Sequence, residues 1–325
     1  MCVWKVLFMK KKVISLFVAA AMLMSVSACS KDSEETEANE TDAVETETAE
    51  SEAEETEAEE TVPEETEVVD VEESLRVVSL SPEVTEIIYA LGAEDVLVGR
   101  STYCDYPADV YDIPAVGDLY AMDIEAIAAV EPTVVLASSF IDDDTVAALQ
   151  ELGIAVVMLT EGTDIEGMYD LISEVASYLD CEDEADALIA DTQAELDAIE
   201  AVETDASVYY VVGYGEYGDY TAGANTFIDS IITTAGAVNA AGDVEGWSID
   251  LEALIEADPD IIIISEWMID DFCATAPYSE LTAVQNGNVI SVDANLFERQ
   301  TPRNVEAVQI IVDAVAALAD EAEAA

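Results

Sequence analysis

Two arginines, Arg299 and Arg303, stand close together in Leu296-Phe297-Glu298-Arg299-Gln300-Thr301-Pro302-Arg303. After Lys31 the only other cations are Arg76 and Arg100, and the chain has no histidine, against 73 acidic residues. Where guanidinium groups are this scarce, their placement carries weight. A planar, permanently charged five-donor group suits a grip on a carboxylate or another oxygen-rich ligand. The same pair would serve equally well as structural partners for the many carboxylates. Paired carboxylates would also suit a secreted hydrolase, although no Gly-x-Ser-x-Gly, zinc-type or phosphate-loop pattern accompanies them. Beyond Cys29, the cysteines Cys104, Cys181 and Cys273 are odd in number and lack metal-type spacing, so they read as buried thiols. The charge imbalance argues against nucleic acid, because nothing would neutralise phosphates. It equally disfavours adhesion to anionic lipid.

The elements that must position these residues alternate. Arg76 to Leu80 is a short β run, followed by Ser81-Pro82 and a helical pattern ending at Gly92. Ser before the helix, Pro at its first turn and Gly past its end form a consistent start and stop. Strands are expected at Val96–Gly99, Val134–Ala137, Ile154–Leu159, Val208–Val212, Ile261–Ile264 and Val289–Val292. Helices are expected at Ile124–Val130, Val146–Leu152, Thr226–Thr234 and Arg303–Ala319. Such alternation predicts an α/β fold with mostly parallel sheets. Asp123-Ile124-Glu125-Ala126 through Pro132 to Val135 can be laid on Asp250-Leu251-Glu252-Ala253 through Pro259 to Ile262, 127 residues later. The chain therefore reads as two similar lobes, 75–180 and 205–325. Between them, 181–204 has helical periodicity without Gly or Pro, a predicted single rigid strut of roughly 30 Å.

The N-terminal part is of another kind. Lys10 to Lys12, an apolar run from Val13 to Met24 that is too short to span a bilayer, and Val26-Ser27-Ala28-Cys29 read as a lipoprotein-type secretory leader over residues 1–29. The cysteine would carry the lipid, and either Met1 or Met9 would serve as the start. Residues 30–74, almost wholly Glu, Thr, Ala and Ser, cannot bury enough surface to fold and are expected to form a disordered acidic tether.

The lipoprotein cysteine, Arg76-Val77-Val78-Ser79-Leu80-Ser81-Pro82, Tyr103-Cys104-Asp105-Tyr106-Pro107, the duplicated Glu segments and Phe297-Glu298-Arg299-x-x-Pro302-Arg303 together resemble the solute-binding proteins of the iron-complex and vitamin B12 class of ABC importers. Ser101 to Pro107 and Asn295 to Arg299 look most like the B12 binders. The resemblance implies two α/β lobes joined by one rigid helix, with a ligand cleft between them and no catalysis. It implies a corrinoid such as cobalamin as ligand, or haem or a ferric siderophore in its place. Tyr103, Asn295 and Arg299 match the family's ligand contacts, and Tyr120, Tyr220, Trp247 and Phe297 would add aromatic walls. Leu119, Tyr120 and Ser138 depart from the tryptophans common in B12 binders, and Asn295 replaces an Asp. Glu125 and Glu252 match the glutamates that dock on the permease. The implied partners are that permease and its ATPase, with the protein a monomer held outside the membrane through Cys29.

Overall fold

The computed structural model describes residues 74–118, 122–138, 141–200 and 204–324. Cys29, the acidic stretch up to residue 73, Leu119, Tyr120 and Phe140 lie outside the described residues. The first lobe comprises β1 (Val77–Ser79), α1 (Pro82–Ala90), β2 (Leu97–Arg100), α2 (Ile124–Ala129), β3 (Val134–Ala137), α3 (Asp143–Glu151) and β4 (Ala155–Met158). Its four strands are all parallel, in the order β2-β1-β3-β4. The central strands β1 and β3 are buried along their whole length, as their unbroken apolar runs require, whereas edge strand β4 is partly open. α1 starts on Pro82 and stops before Gly92, which holds the left-handed φ of 66° that a side chain would resist.

Helices α4 (Ile165–Leu179) and α5 (Glu182–Ala198) lead to the second lobe. That lobe contains β5 (Ser207–Gly213), β6 (Asp219–Thr221), α6 (Phe227–Thr234), β7 (Val238–Asn239), β8 (Ser248–Ile249), α7 (Leu251–Ala257), β9 (Ile261–Ser265), α8 (Ile269–Ala274), α9 (Thr282–Asn286), β10 (Val289–Val292), α10 (Asn295–Glu298) and α11 (Asn304–Ala324). Strands β10, β9 and β5 are parallel, as expected. The sheet then continues through antiparallel β6 and β8, because the short turn after β5 leaves no room for a crossover.

The internal repeat is structural. Helices α2 and α7 each lead into a Pro-started turn, and the residue before each proline, Glu131 (φ 47°) and Asp258 (φ 37°), is left-handed. Each turn then feeds a fully buried strand, β3 or β9. Arg76 closes the first copy: its Nε donates to Glu131 O (2.7 Å) and its Nη2 to Val130 O (2.7 Å). A cation thus sits on the carbonyls at a helix C-terminus, where positive charge is favoured.

α5 forms within 181–204, packs on α4 and on α11 of the second lobe, and buries Ala185 and Thr192. α4 also touches both lobes, α1 on one side and α6 on the other. It buries Met168, Tyr169, Leu171, Ile172, Val175, Ala176 and Leu179, a face wide enough to join the two cores into one cluster. The two helices differ in sequence as well as in burial: α4 carries a pronounced apolar stripe and α5 a weak one.

A second tie is ionic. Arg299 Nη1 donates to Glu86 Oε1 of α1 (2.8 Å) and to Asp105 Oδ1 (2.6 Å), and Nη2 donates to Tyr103 O (3.3 Å). Arg303 Nη1 takes the other oxygen of Glu86 (3.1 Å), and its guanidinium lies 3.8 Å from the centre of the Tyr106 ring. Glu86 is 4% exposed and Arg299 8%. Burial alone would lower the arginine's pKa, but its bonds to Asp105 and Glu86 outweigh that and raise it. Removing one partner of such a buried pair strands the other's charge. Arg299→Ala is therefore expected to cost about 3–5 kcal/mol and to lower Tm by roughly 10 °C. Thermal unfolding monitored by circular dichroism checks this, and an unchanged Tm would contradict an interlobe tie.

Candidate functional site

A cavity of about 330 Å³ opens between the lobes, lined by Glu161, Gly162 and Thr163 from the first and by Val212, Asn225–Ile228, Trp247, Glu298 and Gln300 from the second. It lies just past the carboxyl ends of β4 and β5, where open parallel sheets leave room for ligands. A larger groove of about 640 Å³ between α5 and α11 is wide open and remote from the strand ends, so the interlobe cavity is the candidate site.

Local chain geometry shapes each wall. After β4 the chain turns at Gly162, whose missing Cβ matters: a β-carbon there would stand 2.3 Å from Gly167 Cα. Asp164 caps α4 by accepting from Gly167 N (2.8 Å). Across the cavity, Gln300 closes a reciprocal amide pair with the same turn, accepting from Gly162 N (3.0 Å) and donating to Gly162 O (2.7 Å). Thr226 caps α6, accepting from Asp229 N (3.3 Å), and left-handed Asn225 (φ 62°) turns the chain into it. Trp247 leaves 49% of its surface open.

The cavity's charge is negative. Glu161 keeps solvent access, yet the surrounding protein, and after it the neighbouring Glu83 carboxylate, push its carboxyl up to about 7, while a hydrogen bond with Ser138 opposes the rise. Glu83 is 7% exposed and accepts a short hydrogen bond from Ser138 Oγ. On the facing lobe Glu298 accepts from Tyr210 Oη (3.1 Å), and burial raises its pKa despite that bond.

The structure distributes the sequence-predicted residues unevenly. Trp247 lines the cavity. Tyr103, Asn295 and Arg299 do come together, with Asn295 Nδ2 3.5 Å from Asp105 Oδ2, but in the ionic tie rather than on the cavity wall. The Arg299 guanidinium is taken up by Glu86 and Asp105. Phe297 is fully buried, its ring 5.4 Å from Tyr210, because the short α10 turns that face into the core. Tyr220 is 40% exposed on the β5–β6 hairpin and donates to Tyr217 O (3.0 Å), outside the cavity lining. Of the hairpin's other aromatics, Tyr214 packs edge-on against Phe272 and Tyr278. Tyr120 lies outside the described residues. Glu125 and Glu252 are exposed, each in the first turn of its repeat helix. Sequence reasoning missed Glu161, Asn225, Glu298 and Gln300. They lie in connecting segments or, for Glu298, at the end of the short α10, without the aromatic character that drew attention elsewhere. Among the described residues no group of three or more His, Cys, Asp or Glu could hold a metal ion.

The chain is similar to several known proteins. An uncharacterised ABC transporter substrate-binding lipoprotein of Bacillus subtilis, YvrC, is 29% identical over 260 residues, covering 77% of this chain and 82% of that protein. A cobalamin-binding protein of Halobacterium salinarum is 32% identical over 257 residues, covering 72% of this chain and 67% of that protein. The periplasmic haem-binding protein HutB of Vibrio cholerae superposes with a TM-score of 0.68 at 25% identity, over 74% of this chain and 98% of that one. The family model described as periplasmic binding protein matches residues 77–296, from the first strand of one lobe to the last short helix before the ionic tie; this chain belongs to that family.

Proposed function

We propose that this chain is the extracytoplasmic substrate-binding lipoprotein of an ABC importer, anchored through Cys29, which captures cobalamin or a related corrinoid between its lobes and hands it to the permease. The observation that carries the reading is the interlobe cavity at the strand ends, with Trp247 on one wall and hydrogen-bonding groups on the other. A corrin is large, flat and amide-fringed, so it suits an aromatic face and a few polar groups. The likeness to a cobalamin-binding relative supports the same ligand. No catalytic step is part of this role.

A haem receptor is the second reading, favoured by the likeness to a haem-binding structure. With no histidine in the chain, haem iron would take Tyr, Met or Cys. Tyr103 and Tyr220 are exposed tyrosines among the sequence-predicted residues, although neither lines the cavity.

For docking, Glu125 and Glu252 stand at equivalent positions of the two repeats, one exposed carboxylate on each lobe. Two like charges at a separation set by the fold give register and speed of encounter with a basic permease surface.

Titration of the protein with cyanocobalamin, cobinamide, haemin and ferric siderophores is expected to show sub-micromolar binding of a corrinoid; its absence for both corrinoids overturns the leading reading. Trp247→Ala is expected to weaken the bound ligand about tenfold, the loss of one ring face, with Tm nearly unchanged. The double variant Glu125→Ala, Glu252→Ala is expected to abolish permease-coupled uptake and leave ligand affinity intact, and a fall in affinity would refute the docking role.

A further inference from the structure

The cavity's polar lining has one sign of charge, and the reason lies outside it. Each of the four guanidiniums is consumed by the protein. Arg76 sits on Val130 O and Glu131 O. Arg100 donates to the carbonyls of Val110, Ile113, Ser101 and Cys104 and lies over Tyr111. Arg299 and Arg303 are held by Glu86 and Asp105. Among the described residues no cation lines the cavity, whereas each lobe contributes a carboxyl to it, Glu161 from one and Glu298 from the other. Behind Glu161 stand Glu83 and Ser138, also without a cation. An ionised carboxylate only accepts hydrogen bonds. A ligand edge pressed against these groups is stabilised if it donates N–H or carries positive charge, and opposed if it carries carboxylates.

Resting on the receptor reading above, we propose that the cleft selects its ligand by peripheral charge: it takes a macrocycle fringed with hydrogen-bond donors or cationic groups and rejects one whose edge carries carboxylates. Glu161 and Glu298 are the specificity-determining residues. In the empty cleft, water screens both groups; a bound ligand expels that water and strengthens their interaction with its edge.

The selection follows pH with a definite sign. The groups facing Glu161 are Glu83 of α1, Ser138 after β3 and, across the cavity, Glu298 with the neutral amide of Gln300. Burial and the neighbouring Glu83 raise the Glu161 carboxyl to about 7, so negative charge at this wall is lost as pH falls through that region. Rejection of an acidic edge is therefore strong at pH 8 and relaxes at pH 6.

The test uses matched probes on the full-length chain, followed by tryptophan fluorescence. Cyanocobalamin is compared with its peripheral monocarboxylic acids, in which one amide is hydrolysed, and haemin dimethyl ester with haemin. At pH 8 the uncharged member of each pair that binds is expected to bind about tenfold more tightly or better. The gap is expected to narrow at pH 6 and in Glu161→Gln or Glu298→Gln. Equal affinities within every binding pair at pH 8 overturn charge selection while leaving the receptor reading intact. A gap that persists unchanged in both variants overturns the assignment to Glu161 and Glu298. If no member of either pair binds, the receptor reading itself falls, and charge selection with it.

Discussion

The buried carboxylate of Glu86 is the point on which the two lobes are registered. It projects from the first helix of one lobe and is gripped on its two oxygens by Arg299 and Arg303 of the other. Desolvating a carboxylate is expensive, and the structure offsets that cost by giving each oxygen a charged donor. The geometry of this one group thereby sets how closely the short helix α10 approaches the first lobe. That approach in turn places Glu298 and Gln300, the two chain neighbours of Arg299, at the cavity edge.

The apolar counterpart is α4, whose buried face continues the core of one lobe into the other. A continuous packed core and a desolvated ion cluster both resist relative motion of the lobes, since each has few alternative arrangements of comparable energy. Capture in such a protein depends on a preformed cleft more than on wide hinge closure, which keeps the ordering cost of binding low.

Scarcity of cations links architecture to selectivity. Among the described residues four arginines are the only cations, all used to hold loops and lobes together, and the cleft's charged lining is carboxyl groups. A chain with more basic residues could have kept its lobes together and still placed a cation at the ligand. Here the same residues cannot serve both ends, and the structure commits them to the scaffold.

Much of the fold was legible in the sequence. The strands at 134–137 and 289–292 appear at their expected ends, and the Pro-started turns of the two repeats share even their left-handed residue. Apolar runs, caps and prolines act locally, so the chain order of residues suffices to place them. The composition likewise determined that cations would be rare and therefore committed. Only the tertiary structure showed that α4 packs against helices of both lobes, because those neighbours come from distant parts of the chain. It alone moved Phe297 into the core and Arg299 onto Glu86, a partner 213 residues away in the chain. The cavity, too, is a product of tertiary contact: Glu161 and Glu298 meet across it only after both sheets have formed and the ionic tie has drawn the lobes together.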